Sequence, residues 1–235
     1  MITVLLVVLL CGCGAKNGDE LPVSREENIA PQEVQEHVGY VALPFDDGPT
    51  RHTARLLDGL AERGIHATFF LVGYRLEGNE ALVRRMKAEG HQIGNHTHDH
   101  AQLTTLSPQD ALEDLIQCDL ALCTLLGEGN YWVRPPYGSI HNEVLAQLDV
   151  PVVGWSIDPR DWACQDAAAV AQHIVSHAKD GDIILLHDCY ASTVDAVLAA
   201  ADRLQAEGLQ MVTVEELLAV RGITAGSGTV YQRIG

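Results

Sequence analysis

Two adjacent carboxylates, Asp46 and Asp47, end an apolar run and precede the turn Gly48-Pro49. Ionised side by side at a strand end they repel each other, which is tolerable chiefly when a cation or a shared proton relieves the charge. Further along, His96-Thr97-His98-Asp99-His100 follows a second short apolar segment. Its two outer imidazoles, four apart, can complete a metal site with one of the aspartates, leaving the other carboxylate free for proton transfer. His98 reads as a non-ligand, because on a turn it points away from its neighbours. His173 and His177 are also four apart, but they sit late in an amphipathic helix, where the helix dipole and solvent favour histidine, and no third ligand accompanies them.

The elements that must position these groups alternate. Strand composition at 39–43 gives way to helical spacing over 52–63, with Leu56, Leu57 and Leu60 on one face. The step repeats as strand 67–72, helix 80–89 and a short strand 91–93 leading to the histidines. A helix is expected over 107–126, capped by Ser107 with Asp110 at its third position. Strand signals follow at 131–133, 150–154, 182–186 and 210–212, and helical ones at 142–148, 166–179, 192–207 and 214–220. Such alternation implies a parallel sheet, open or closed. Polar clusters after five of the strands, at Asp46-Asp47, 96–100, 134–138, 158–162 and His187-Asp188, favour closure, because a barrel delivers every strand's C-terminal end to one rim.

With 235 residues the chain is long enough for one domain with a substantial core. A formal charge of −17 with scattered Lys and Arg argues against nucleic acid and against a strongly anionic polymer held by bulk electrostatics. A neutral or weakly charged substrate fits better. The apolar run from Ile2 to Leu10 is far shorter than the roughly 20 residues that span a bilayer and reads as an export signal. Leu10-Cys11-Gly12-Cys13 resembles a lipobox, with Cys13 as the lipidated mature N-terminus, although no Lys or Arg precedes the run. The expected organisation is a signal segment at 1–13, a polar disordered tether at 14–38 reaching roughly 25–30 Å, a catalytic-sized domain at 39–222 and a tail at 223–235. The chain would then be exported, either as a cell-envelope lipoprotein or secreted, touching a membrane only through its N-terminus; its oligomeric state is left open.

Five motifs in order carry a resemblance to a known family: Phe45-Asp46-Asp47-Gly48-Pro49, His96-Thr97-His98-Asp99-His100, Arg134-Pro135-Pro136-Tyr137-Gly138, Asp158-Pro159-Arg160-Asp161-Trp162 and Leu185-Leu186-His187. Over about 40–222 the chain resembles the polysaccharide deacetylases that share the NodB homology domain, carbohydrate esterase family four. The resemblance implies a single distorted (β/α) barrel and a divalent metal, most often zinc, with cobalt possible. It also implies hydrolysis of N-acetyl groups on an amino-sugar glycan such as peptidoglycan or chitooligosaccharide. By the same resemblance Asp47, His96 and His100 hold the metal and Asp46 is the general base, oriented and kept ionised by Arg134. His187 is the general acid, kept protonated by Asp161; the Tyr137 amide faces the oxyanion, and Trp162 and Leu185 wall the acetyl-methyl pocket. Pro44 departs from the family's usual Thr and would remove a donor from a strand paired on both sides.

Two other functions use the same residues: an O-acetyl esterase on acetylated polysaccharide, and an inert glycan-binding lipoprotein, which should have lost one of Asp46, Asp47, His96, His100 or His187 and has lost none. Among the later cysteines, Cys118 and Cys123 read as buried free thiols, while Cys164 and Cys189, each two residues past a motif, suggest a disulfide across the rim. Asp188 reads as a local turn acceptor.

Overall fold

The computed structural model describes residues 39–235; the leader, Cys13 and the tether expected at 1–38 lie outside the described residues. In chain order the elements are β1 (Gly39–Ala42), β2 (Phe45–Gly48), α1 (Thr53–Ala61), β3 (Thr68–Leu71), α2 (Glu80–Ala88), β4 (Gln92–Asn95), α3 (Pro108–Leu126), α4 (Asn142–Leu145), β5 (Val152–Val153), α5 (Ala167–His177), β6 (Leu186–His187), α6 (Ala191–Ala206), β7 (Leu209–Val212), α7 (Val214–Ala219) and β8 (Val230–Tyr231). Among the described residues no helix is long and apolar enough to cross a membrane.

The strands close into a distorted (β/α) barrel. β6, β2, β3 and β4 are successive parallel neighbours, and single parallel bridges carry the ring from Asn95 through Val133 to Val152. The segment that continues from β5 then pairs Ile157 with Ile184, just upstream of β6, which closes the ring. The strand expected at 131–133 is therefore reduced to bridges at one residue. β3 is buried along its whole length, as a parallel strand covered on both faces must be. Phe45 stacks on Phe69 with ring centroids 5.4 Å apart, and the Leu56, Leu57 and Leu60 stripe of α1 packs into the same core. Each such side chain contributes about 1.5–3 kcal/mol through the apolar area it removes from water.

Pro44 lies where the first strand changes partners. β1 runs beside β7, whereas β2 runs between β3 and β6, so the missing N–H falls in the gap between two ladders. Residues 223–235, expected as a tail, are instead built into the domain. β8 pairs with β5, Arg233 bridges to Asp182 with a 3.0 Å ion pair, and Ile234 is buried. The cap expected at Ser107 is present, its Oγ accepting from the Asp110 N–H at 3.1 Å; the structure adds a reciprocal capping box of Thr213 with Glu216 on α7. Each cap is worth about 1 kcal/mol.

Candidate active site

Asp47 ends β2, while His96 and His100 lie just past β4, two strands away across the sheet. One ligand atom from each of the three lies within 4.8 Å of the others. The His96 ring is oriented from behind: Nδ1 stands 2.5 Å from the Arg134 carbonyl and donates to it, which turns the Nε2 lone pair toward the carboxylates. Thr97 Oγ1 accepts from the His100 N–H at 3.0 Å and ties the loop between the two histidines. Nε2 of His100 is 2.9 Å and Nε2 of His96 3.4 Å from Asp47 Oδ1, yet that buried oxygen accepts no aligned hydrogen bond. Burial works against the Asp47 charge, and the His100 and His96 rings outweigh it, holding the carboxyl well below the usual carboxylate range. Two imidazole nitrogens converging on one carboxylate oxygen without an aligned hydrogen bond suit a cation, and one carboxylate with two imidazoles is a ligand set for a divalent ion. His98 is not among the three; its N–H is bound by Asp114, and its Nε2 lies 3.8 Å from Asp99.

Beside this trio stand two ion pairs. Arg134 is fully buried; its Nη1 donates to Asp46 Oδ1 at 3.0 Å, while Nε and Nη2 donate to the carbonyls of Val153 and Gly154. The guanidinium also lies over the Phe70 ring, 4.5 Å from its centroid. Breaking a pair so buried would strand one charge, which costs about 3–5 kcal/mol. The second pair joins Asp161, also fully buried, to His187: Oδ1 meets the ring Nδ1 at 2.9 Å, and Oδ2 accepts from the His187 N–H and the Thr193 hydroxyl. Burial lowers the His187 pKa, but the hydrogen bond and charge of Asp161, with Asp46 and Asp47 adding, raise it to about 9. Asp46 and His187 are register partners on β2 and β6, so a carboxylate and a protonated imidazole share one face of adjacent strands.

A cleft of about 500 Å³ opens over these groups, with Tyr137, Trp155, Trp162, Leu185 and Tyr190 along its walls. Asp47, Thr97, His100 and Tyr137 hold positive φ, an uncommon state for residues with a Cβ and one that costs about 1–3 kcal/mol each. That strain is carried at this site by rigid strand ends on either side.

Sequence reasoning missed two supports and misread a third group. Asp188 is not a local turn acceptor. It is fully buried, its carboxylate accepts from the Thr53 hydroxyl, and its carbonyl accepts from Thr50 Oγ1 at 2.8 Å, so it braces the loop after Asp47. Burial raises its pKa to about 7. Arg75, which follows β3, donates to the Asp47 carbonyl and lies 3.6 Å from Cys189 Sγ. Both contacts cross long stretches of sequence and carry no local signal beyond charge. The disulfide suggested for Cys164 and Cys189 is absent: all four described cysteines are free, Cys189 facing Arg75 and Asp47 while Cys164 lies over the Asp166 carbonyl. Cys118 is buried as expected, but Cys123 is only half-buried.

The Polysaccharide deacetylase family model matches residues 33–152 of the chain. The chain belongs to the polysaccharide deacetylase family. Among relatives of this family, peptidoglycan-N-acetylglucosamine deacetylase PgdA of Listeria monocytogenes is 35% identical over 178 residues, 75% of this chain and 38% of the relative. The chain thus spans well under half the length of that protein. Among solved structures, peptidoglycan deacetylase PdaC of Bacillus subtilis is 35% identical with a TM-score of 0.76, covering 79% of this chain and 92% of that one. A family 4 acetyl xylan esterase from Clostridium thermocellum, in complex with a cobalt ion, is 30% identical with a TM-score of 0.78, covering 83% and 98%.

Proposed function

We propose that this polysaccharide deacetylase-family chain removes N-acetyl groups from an amino-sugar glycan of the peptidoglycan or chitin type, releasing acetate and a free amine. The observation that carries the reading is the pairing of Asp46–Arg134 with His187–Asp161 on neighbouring strands, beside the Asp47, His96 and His100 trio, in one cleft. Asp47, His96 and His100 would hold a divalent cation, zinc in this reading with cobalt as a substitute. When bound, such an ion polarises the acetamide carbonyl and makes water more acidic. Asp46, fixed by Arg134, takes the proton of the attacking water. The Tyr137 N–H faces the developing oxyanion, and Trp162 with Leu185 receives the methyl group. His187, protonated through Asp161, gives its proton to the departing nitrogen, which leaves poorly without one.

The ester reading shares this machinery and has the acetyl xylan esterase as a neighbour, but an alkoxide leaves more readily than an amide nitrogen and has less need of an imidazolium as strongly stabilised as His187. Export and lipidation at Cys13 belong to the same reading and rest on the N-terminal sequence pattern; loss of labelled fatty-acid incorporation in Cys13→Ala tests them. The test of function is acetate release from purified peptidoglycan and from chitooligosaccharides, with and without chelator. Release that stops with chelator and in Asp46→Asn supports the proposal, while release from neither glycan defeats it.

A further inference from the structure

Five non-glycine positions among the described residues hold positive φ, and four of them, Asp47, Thr97, His100 and Tyr137, belong to the site described above. The fifth is Arg160, at φ 57. Its backbone is fixed on both sides: its N–H donates to Asp158 Oδ1 at 2.8 Å, and its carbonyl accepts from the N–H groups of Ala163 and Cys164, each at 2.9 Å. These bonds hold the strained backbone of Arg160 in place beside Trp162. The guanidinium lies over the ring of Trp162, 5.3 Å from its centroid, and Trp162 is 46% exposed and lines the cleft. The mechanism leaves this group without a task.

Arg160 is exposed, and among the described residues its side chain contacts Trp162 and makes no ion pair. In a chain of formal charge −17, a guanidinium stacked on the cleft-wall residue Trp162 and without an ion pair among the described residues is available to an incoming carboxylate. A guanidinium lying over an aromatic face keeps its N–H fork for acceptors at its edge, the geometry that takes a carboxylate through two hydrogen bonds. The acidic surface disfavours polyanions in bulk, so this contact would recognise one carboxylate at one place.

We propose that Arg160 is a specificity-determining residue that selects glycans carrying a carboxylate on or beside the acetylated sugar. The inference rests on the deacetylase reading and narrows its substrate class from any N-acetylated glycan to an acidic one. The carboxylate could come from an ether-linked lactyl group or from a uronic acid, and the test separates these two sources.

The experiment measures kcat/KM for acetate release from three oligosaccharides: one with a lactyl carboxylate, one with a uronate, and neutral chitotetraose. The methyl amide of each acidic oligosaccharide is run beside it. Wild-type protein should prefer at least one free carboxylate over its methyl amide by about fivefold, chiefly through KM, the effect of one exposed charge pair. That preference should shrink with added salt and fall to about one in Arg160→Gln, with Arg160→Lys keeping part of it. The arm that shows the preference names the source. Equal rates on each acid and its amide, or an unchanged preference in Arg160→Gln, would overturn the assignment while leaving the deacetylase reading intact. Acetate release from none of the substrates, chitotetraose included, would overturn the deacetylase reading and this assignment with it.

Discussion

The four-residue strand β4 is flanked by two buried histidines, one immediately before it and one immediately after. At its start, His91 Nδ1 accepts the Ala67 N–H at 3.0 Å, and the ring meets Phe69 edge-on, with centroids 5.2 Å apart. Burial lowers its pKa to about 4, so the ring is a neutral member of the core. At its end, His96 is equally buried, but its Nδ1 donates to a carbonyl and its Nε2 turns toward Asp47. Residue type and burial are the same; the neighbours decide the role. Below the sheet the ring supplies an acceptor that a backbone amide needs, whereas at the C-terminal rim the loops diverge and leave room for carboxylates to gather.

The largest effects should separate these two ends. His96→Ala is expected to lose bound metal and to lower kcat/KM by about a thousandfold, measured by metal analysis and acetate release. His91→Ala should keep both and cost about 2 kcal/mol of stability in denaturant melts, through a cavity and an unsatisfied amide. If both variants kept their metal, the contrast would fail. Asp46→Asn should retain metal while turnover falls at least about a hundredfold, separating the two adjacent carboxylates.

The protonation states of His187 and His91 sharpen the comparison. The folded pKa of His187, about 9, lies above its ordinary 6.5, so its acid form is present below that range and is lost as pH rises through about 9. Activity should show an alkaline limb there, and Asp161→Asn should move the limb toward 6.5, lowering kcat at pH 7.5 about tenfold. His91 has the opposite sign. Its folded pKa lies below its unfolded value, so its stabilisation is complete above pH 6.5 and disappears as pH falls through about 4, a loss of up to about 3 kcal/mol in acid melts that His91→Gln should blunt. The smallest effect is Ser107→Ala, expected to cost about 1 kcal/mol by freeing the Asp110 N–H, with no change in activity.

The barrel and most of the cleft were legible because their signals are local: apolar runs with period-two or helical spacing, and reactive side chains at strand ends. Paired aspartates and spaced histidines announce a cation wherever they meet. Asp188 and Arg75 were not legible, because their partners Thr53 and the Asp47 carbonyl are brought near only by closure of the barrel. The same holds for β8: Val230–Tyr231 are strand-forming types, but two residues are too short a run to signal a strand, and they become one because β5 offers an open edge. The cysteine pairing failed for a related reason, since spacing from a motif says nothing about which way a side chain turns.

The central claim is that Asp47, His96 and His100 share one cation while Asp46 remains outside it. Crystals grown with zinc and measured on both sides of its absorption edge test this directly. A single anomalous peak among the Asp47 carboxylate and the two Nε2 atoms, retained in Asp46→Asn, is the predicted result. A peak elsewhere, or one that vanishes in Asp46→Asn, would contradict the account.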